Sequence, residues 1–129
     1  MAAPLRVLLV DDEPDFLATL SFRLRSKRYD VAVAAGGAEA LAHVAAHGWP
    51  DVIFLDLVMP RMDGLETLRR VRAGNPRVPV ILLTTTEHAP AEVMALRTLG
   101  IIGVFEKEGS ATSLDELLDL ALKPRGPAR

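Results

Sequence analysis

Val52-Ile53-Phe54-Leu55-Asp56-Leu57-Val58-Met59-Pro60-Arg61-Met62-Asp63-Gly64 runs four apolar residues into a carboxylate, then a second apolar pair, a proline and a glycine. The first four lack polar alternation, as a strand buried on both faces does. Asp56 ends that strand, and a carboxylate there is costly to bury without partners. Two other apolar runs end on charge: Val7-Leu8-Leu9-Val10 meets Asp11-Asp12-Glu13, and Val104-Phe105-Glu106 leads into Lys107. In an open parallel α/β sheet the carboxyl ends of the strands line one crevice. Three carboxylates and an ammonium gathered there suit a divalent cation and a phosphoryl group.

Val31 to Ala34 and Val80 to Leu83 complete a set of five short apolar runs. Helical patterns with three-or-four spacing separate them. Phe16, Leu17, Leu20 and Leu24 mark the first; Leu41, Val44 and Ala45 the second; Leu65, Leu68 and Val71 the third. Val93, Leu96 and Leu99 mark the fourth, and Leu114, Leu117, Leu118 and Ala121 the fifth. Gly36-Gly37, Gly48-Trp49-Pro50 and Gly74-Asn75-Pro76 punctuate the series. Five βα units imply a doubly wound α/β domain, a five-stranded parallel sheet with helices on both faces. Residues 1–122 are expected to form it. Lys123 to Arg129 lose all apolar periodicity and read as a flexible tail or the start of a linker, so the chain is either a stand-alone domain or the first piece of a longer regulator.

The chain has 129 residues, half of them apolar and a quarter charged, with a net charge of −2 and no cysteine. One domain fits that length. Disulfides and thiolate metal sites are excluded, and no basic field recruits nucleic acid or an anionic membrane. The N-terminus carries no signal-peptide pattern, and Val7 to Val10 is too short to span a bilayer. A cytoplasmic protein is expected.

An aspartate becomes an acyl phosphate when it meets an activated phosphoryl donor. Here a phosphoryl group would approach three carboxylates, so a cation is required. Mg²⁺ prefers hard oxygen ligands and keeps water and phosphate oxygens in its sphere. Asp12 and Asp56 are its expected direct ligands, with Asp11 behind them or bridged through a water. Lys107 supplies a compact positive charge for the phosphoryl oxygens. Thr84, at the end of the fourth run, supplies a hydroxyl.

Asp11-Asp12-Glu13-Pro14, the segment Leu55 to Gly64, Thr84 and Lys107 together resemble the receiver domain of two-component response regulators, over about residues 5 to 122. The resemblance implies a strand order of 2-1-3-4-5. It implies that Asp56 accepts a phosphoryl group from a sensor histidine kinase or phosphotransfer protein, and that the main-chain carbonyl of Val58 joins Asp11, Asp12 and Asp56 around Mg²⁺. Switching is then expected to change partners on a face made by helix 4, strand 5 and helix 5, including Val93, Leu96, Val104 and Leu114 to Leu122. That face would meet an output domain, a partner protein or a second copy in a homodimer. Three positions depart from the family pattern. Glu108 follows Lys107 where proline is common, as in receivers attached to helix-turn-helix output domains. Val104 stands where an aromatic is usual. Counting forward from Pro79 selects Thr84 as the phosphate-binding hydroxyl, whereas counting back from Lys107 at the family spacing selects Thr85.

Other readings compete. An aspartyl phosphatase of the haloacid-dehalogenase type needs a second acid two residues after the nucleophile, and that position is Val58. A pseudo-receiver, an interaction module that takes no phosphate, is the alternative function. Asp12 and Asp15 can be read as helix caps, and Ser110 or Thr112 as caps of the last helix. His43 and His47 have metal spacing but no evident third ligand. Arg69, Arg70 and Arg72 read as a solvated face, Trp49 and Met94 as packing, and His88 as a loop residue.

Overall fold

Each apolar run becomes a strand: β1 (Arg6–Val10), β2 (Asp30–Ala34), β3 (Val52–Asp56), β4 (Val80–Thr84) and β5 (Ile101–Glu106). The computed structural model describes residues 4–56, 64–84, 97–107 and 114–122. Its helices are α1 (Pro14–Ser26), α2 (Gly37–His47), α3 (Gly64–Gly74) and α4 (Leu114–Leu122), with a 3-10 turn at Arg97–Leu99. α4 is the fifth helical pattern of the sequence. Of the fourth pattern only Leu99 is described, in the 3-10 turn; Val93 and Leu96 lie outside the described residues. The strands are all parallel, in the expected order β2-β1-β3-β4-β5. Among the described residues no helix is long and apolar enough to cross a membrane.

Strand alternation divides the core in two. Val7, Leu9, Phe54, Ile81, Leu83 and Phe105 face α1 and α4, where Leu20, Leu24, Leu117 and Leu118 meet them. Leu8, Val10, Ile53, Leu55, Val80 and Leu82 face α2 and α3, against Ala40, Leu68 and Val71. β3 and β4 are buried at every position, which explains their unbroken apolar runs. β2 lies at the edge and leaves Val33 exposed. Trp49 packs against the α2/α3 core and the end of α3 at Gly74.

β5 starts three residues before the apolar run suggested, because it carries a bulge. Val80 pairs with Ile101 but Ile81 pairs with Gly103, so Ile102 is an extra residue. Ile102 packs toward α1 and α4. Gly103 faces the same way: a Cβ there would lie 2.4 Å from Leu117 Cδ2. Past the bulge, regular alternation resumes with Val104 toward the α2/α3 core and Phe105 toward α1 and α4. The bulge therefore resets the phase of the strand.

Helix ends depart from the sequence reading in two places. Glu13, not Asp12 or Asp15, is the N-cap residue of α1, and no side chain caps it; Pro14 opens the helix. Ser110 and Thr112 lie outside the described residues. At the other end of α1, Arg28 donates its N–H to Arg25 O at 2.9 Å and Tyr29 donates to Leu24 O at 3.2 Å, the paired bonds of a Schellman turn. That turn puts Arg28 at φ 73°, where glycine is favoured. A left-handed non-glycine residue costs about 1–2 kcal/mol, and glycine's extra chain entropy takes back about 0.5–1 kcal/mol. Arg28→Gly is therefore expected to stabilise the domain by about 0.5–1 kcal/mol. A higher urea midpoint at unchanged slope would show it, and a lower midpoint would mean that the Arg28 side chain holds something in place.

Arg72 also departs from its expected place on a solvated face. Arg70 does pair with Glu66 at the surface, at 2.8 Å. The Arg72 guanidinium instead donates to the carbonyls of Leu99 (2.5 Å), Gly100 (3.0 Å) and Asn75 (3.1 Å). It ties the end of α3 to the turn that enters β5. Gly100 has φ +82° there, and a Cβ on it would lie 2.9 Å from Arg72 Nε.

Candidate functional site

Alternation carries the charged residues to one end of the sheet. Asp11 continues the phase of Val7 and Leu9, Asp56 that of Phe54, and Lys107 that of Phe105, so all three lie on the α1 side. Thr84 continues the phase of Val80 and Leu82 and comes from the opposite side. Backbone bonds extend the strands into the site: Asp11 N–H donates to Ala34 O at 3.1 Å, and Lys107 N–H to Thr84 O at 2.8 Å. Asp11 is wholly buried; Asp56 and Thr84 are 4% and 3% exposed. Asp12 is exposed. Val58 and Thr85 lie outside the described residues.

The carboxylates of Asp11, Asp12 and Asp56 each offer an oxygen within 4.8 Å of the others. At that separation two full negative charges repel by about 3–4 kcal/mol at an effective dielectric of about 20. Lys107 answers much of this. Its Nζ lies 2.6 Å from Asp11 Oδ2 and 3.3 Å from Asp56 Oδ2, and it forms an ion pair with Glu13. It also sits 5.1 Å from the centroid of the Phe16 ring, a cation–π distance. Glu13 N–H donates to Asp11 Oδ1 at 2.8 Å.

Burial pushes the Asp11 carboxyl above its ordinary range, although the Lys107 ammonium and the Glu13 N–H both favour its charged form. Burial works against the charge on Lys107 as well, but the bonds to Asp11 and Glu13 and the charge of Asp56 outweigh it and hold the lysine above its usual value. The direction for Lys107 follows directly from its three carboxylate neighbours. For Asp11 burial outweighs the Lys107 and Glu13 contacts.

Asp11 Oδ2 is the observation that bears on a metal. It is buried and accepts no well-directed hydrogen bond, its charge being met by the Lys107 ammonium alone among the described residues. A hard, oxygen-seeking cation fits such an oxygen beside Asp12 and Asp56. The donor set is all oxygen, which suits Mg²⁺ rather than a thiolate- or imidazole-seeking metal.

Sequence reasoning assigned no task to Glu13 or Phe16, which flank Lys107 here. Glu13 had a signal in its adjacency to Asp11 and Asp12; Phe16 had none beyond its core-like spacing. Val104 is half-buried against the α2/α3 core, and Phe105 is buried on the other face. The aromatic is thus one residue displaced and already inside.

A family model for the response regulator receiver domain matches residues 7–119. The chain is 39% identical over 116 residues to the transcriptional regulatory protein TrcR of Mycobacterium tuberculosis, covering 90% of this chain and 43% of that protein. It is 35% identical over 125 residues to the transcriptional regulatory protein GlrR of Escherichia coli, covering 97% and 28%. The chain thus spans less than half the length of these curated relatives. Among solved structures, the chemotaxis protein CheY4 of Vibrio cholerae superposes with a TM-score of 0.77 at 32% identity, covering 91% of this chain and 95% of that one. A response regulator receiver protein from Pseudomonas putida gives a TM-score of 0.82 at 26% identity, covering 96% and 100%. With that match over nearly its whole length, and with acidic strand ends facing a lysine on a sheet of order 2-1-3-4-5, the chain belongs to the response regulator receiver domain family of two-component systems.

Proposed function

We propose that this receiver takes a phosphoryl group on Asp56 from the phosphohistidine of a sensor histidine kinase or phosphotransfer protein, and that the modified state changes partners. The observation that supports this most is the convergence of Asp11, Asp12 and Asp56 on one strand-end cluster with Lys107 already 3.3 Å from the acceptor. Asp12 and Asp56 are our direct Mg²⁺ ligands, with the carbonyl of Val58, and Asp11 directly or through a water. Bound Mg²⁺ would supply the positive charge that offsets carboxylate and phosphoryl repulsion.

The residues do the rest. An Asp56 carboxylate oxygen attacks phosphorus, an O–P bond forms as the P–N bond breaks, and the donor imidazole takes up a proton. Lys107 holds a phosphoryl oxygen as its contact with Asp56 is replaced. Thr84, rather than Thr85, donates its hydroxyl to another. The bulge at Ile102 supports that choice, because it provides an extra residue between β4 and Lys107 that a count across β5 would otherwise charge to the preceding loop. The extra charge and hydrogen-bond acceptors at Asp56 then bias a two-state balance. Its readout is the face of Val104 and α4, with Val93 and Leu96, which lie outside the described residues. An output domain, a partner protein or a second copy would dock there. We take residues 1–122 as the receiver unit, 123–129 as tail or linker, and the cytoplasm as its place.

Incubation with acetyl phosphate and Mg²⁺, read by intact mass, tests the reading. One phosphoryl mass labile to hydroxylamine is expected, absent without Mg²⁺ and absent in Asp56→Asn, with Thr84→Ala altering its lifetime and Thr85→Ala leaving it alone. No adduct and no stable beryllofluoride complex, with Mg²⁺ bound, would make the domain an interaction module that takes no phosphate.

A further inference from the structure

Glu13 stands at the cap of α1, yet its side chain serves another element. Its backbone is fixed from both sides. Its N–H donates to Asp11 Oδ1 at 2.8 Å, and its carbonyl accepts from Leu17 N–H at 3.0 Å as the helix opens. A short polar side chain at such a position turns back onto the helix N–H groups. The Glu13 side chain does not. It reaches across the crevice to the Lys107 ammonium, as both ion pair and hydrogen bond. Phe16, in the first turn of the same helix, places its ring centroid 5.1 Å from that ammonium. The start of α1 thus holds the lysine toward its own side.

Lys107 faces three carboxylates: Asp11 at 2.6 Å, Asp56 at 3.3 Å, and Glu13. Charge-assisted N–H···O bonds run about 2.7–2.9 Å, so the contact to Asp56 is the long one. The phosphoryl acceptor is therefore the carboxylate that the lysine serves least. A phosphoryl group on Asp56 needs the ammonium drawn in its direction, away from a present partner. Asp11 is wholly buried, and loss of its counter-charge carries a large penalty. The Glu13 side chain is 59% exposed, so water can take over its charge when the pair opens. Glu13 is the partner that can let go. Resting on the reading of Asp56 as phosphoryl acceptor, we propose that Glu13 is a positioning residue that holds Lys107 back from Asp56. Release of the Glu13–Lys107 pair then sets part of the rate of phosphoryl uptake.

The test is the initial rate of phosphorylation of the full chain by acetyl phosphate in excess Mg²⁺, read by intact mass. Wild type is compared with Glu13→Gln and Glu13→Asp. Glutamine keeps the length and drops the charge. Aspartate keeps a charge at the mouth of the crevice, is one methylene shorter, and suits the N-cap. Both are expected to take up phosphoryl about two- to fivefold faster, the factor that an exposed ion pair can supply. In a Lys107→Met background the gain from Glu13→Gln should vanish, with helical circular dichroism unchanged. A faster Glu13→Gln beside a wild-type rate in Glu13→Asp would mean that Glu13 only repels the anionic donor, and overturns the proposal. Persistence of the gain without Lys107 overturns it as well. An equal or slower rate in Glu13→Gln does the same, while an adduct on the wild type leaves the acceptor reading standing. No adduct on the wild type removes that reading and the restraint with it.

Discussion

Lys107→Met is expected to cost the metal-free domain about 3–5 kcal/mol at neutral pH, the usual effect of removing one member of a buried ion pair. The lysine side chain is 8% exposed and faces a fully buried Asp11 and a nearly buried Asp56. Methionine keeps a long stem over Phe16 and removes only the charge. Asp11 and Asp56 then lose the ammonium that faces both of them. Adding Asp11→Asn to the variant should restore much of the loss, because the fully buried carboxylate that lost its ammonium is then neutral. Excess Mg²⁺ should do so too, by occupying the same oxygens.

The pH dependence has a definite sign. Asp11 has a folded pKa above its ordinary 3.8, so its contribution favours folding below that value and is lost as pH rises through the raised pKa. Lys107, raised above its ordinary 10.5, favours folding at every pH below that and so offsets the Asp11 burden at neutrality. In the variant that offset is gone and Asp11 rises further. The deficit should be widest at neutral pH and narrow as Asp11 takes a proton. Urea midpoints at neutral and mildly acid pH would measure it. A deficit below about 1 kcal/mol at both is the value of a solvated surface pair, and would mean that water reaches the cluster.

Arg72→Ala is expected to cost about 2–4 kcal/mol, from the loss of charge-assisted bonds to three carbonyls, each worth about 1.5–3 kcal/mol but not additive. Arg72→Lys should recover little, since one ammonium cannot reproduce a planar fork. The local sign is faster hydrogen exchange at Gly100 and the first residues of β5, with the α1/α4 core unchanged. Gly100→Ala should mimic it in part, because its Cβ would crowd the guanidinium and its backbone sits at positive φ. Wild-type stability in Arg72→Ala would reduce the fork to a surface contact.

The parts of the molecule that the sequence foretold are those with a period. Unbroken apolar runs marked β1, β3 and β4, and their charged ends put Asp11, Asp56 and Lys107 at one edge of the sheet. The parts that escaped have no period. Arg72 looks like Arg69 and Arg70 in the sequence, and only the turn at Gly100, folded against α3 from more than twenty residues away, separates its role from theirs. The Schellman turn escaped because its left-handed residue is Arg28, without the glycine that usually signals it. The onset of β5 was hidden by the bulge at Ile102, which breaks alternation at the point where a reader relies on it.

The strand order has a consequence for how the molecule is put together. β1 pairs with both β2 and β3, so the first three strands complete a sheet from a continuous stretch of chain. β4 and then β5 add to the open side in the order in which they occur in the sequence. Each addition spans one crossover, residues 57–79 and then 85–100. The ammonium that faces Asp11 and Asp56 therefore sits at the end of the last strand in the chain. A species in which β5 is not docked would hold Asp11 and Asp56 without the Lys107 ammonium and would depend more on free cations. Refolding rate against Mg²⁺ concentration would then report on the docking of one strand, separately from the chemistry that the finished site performs.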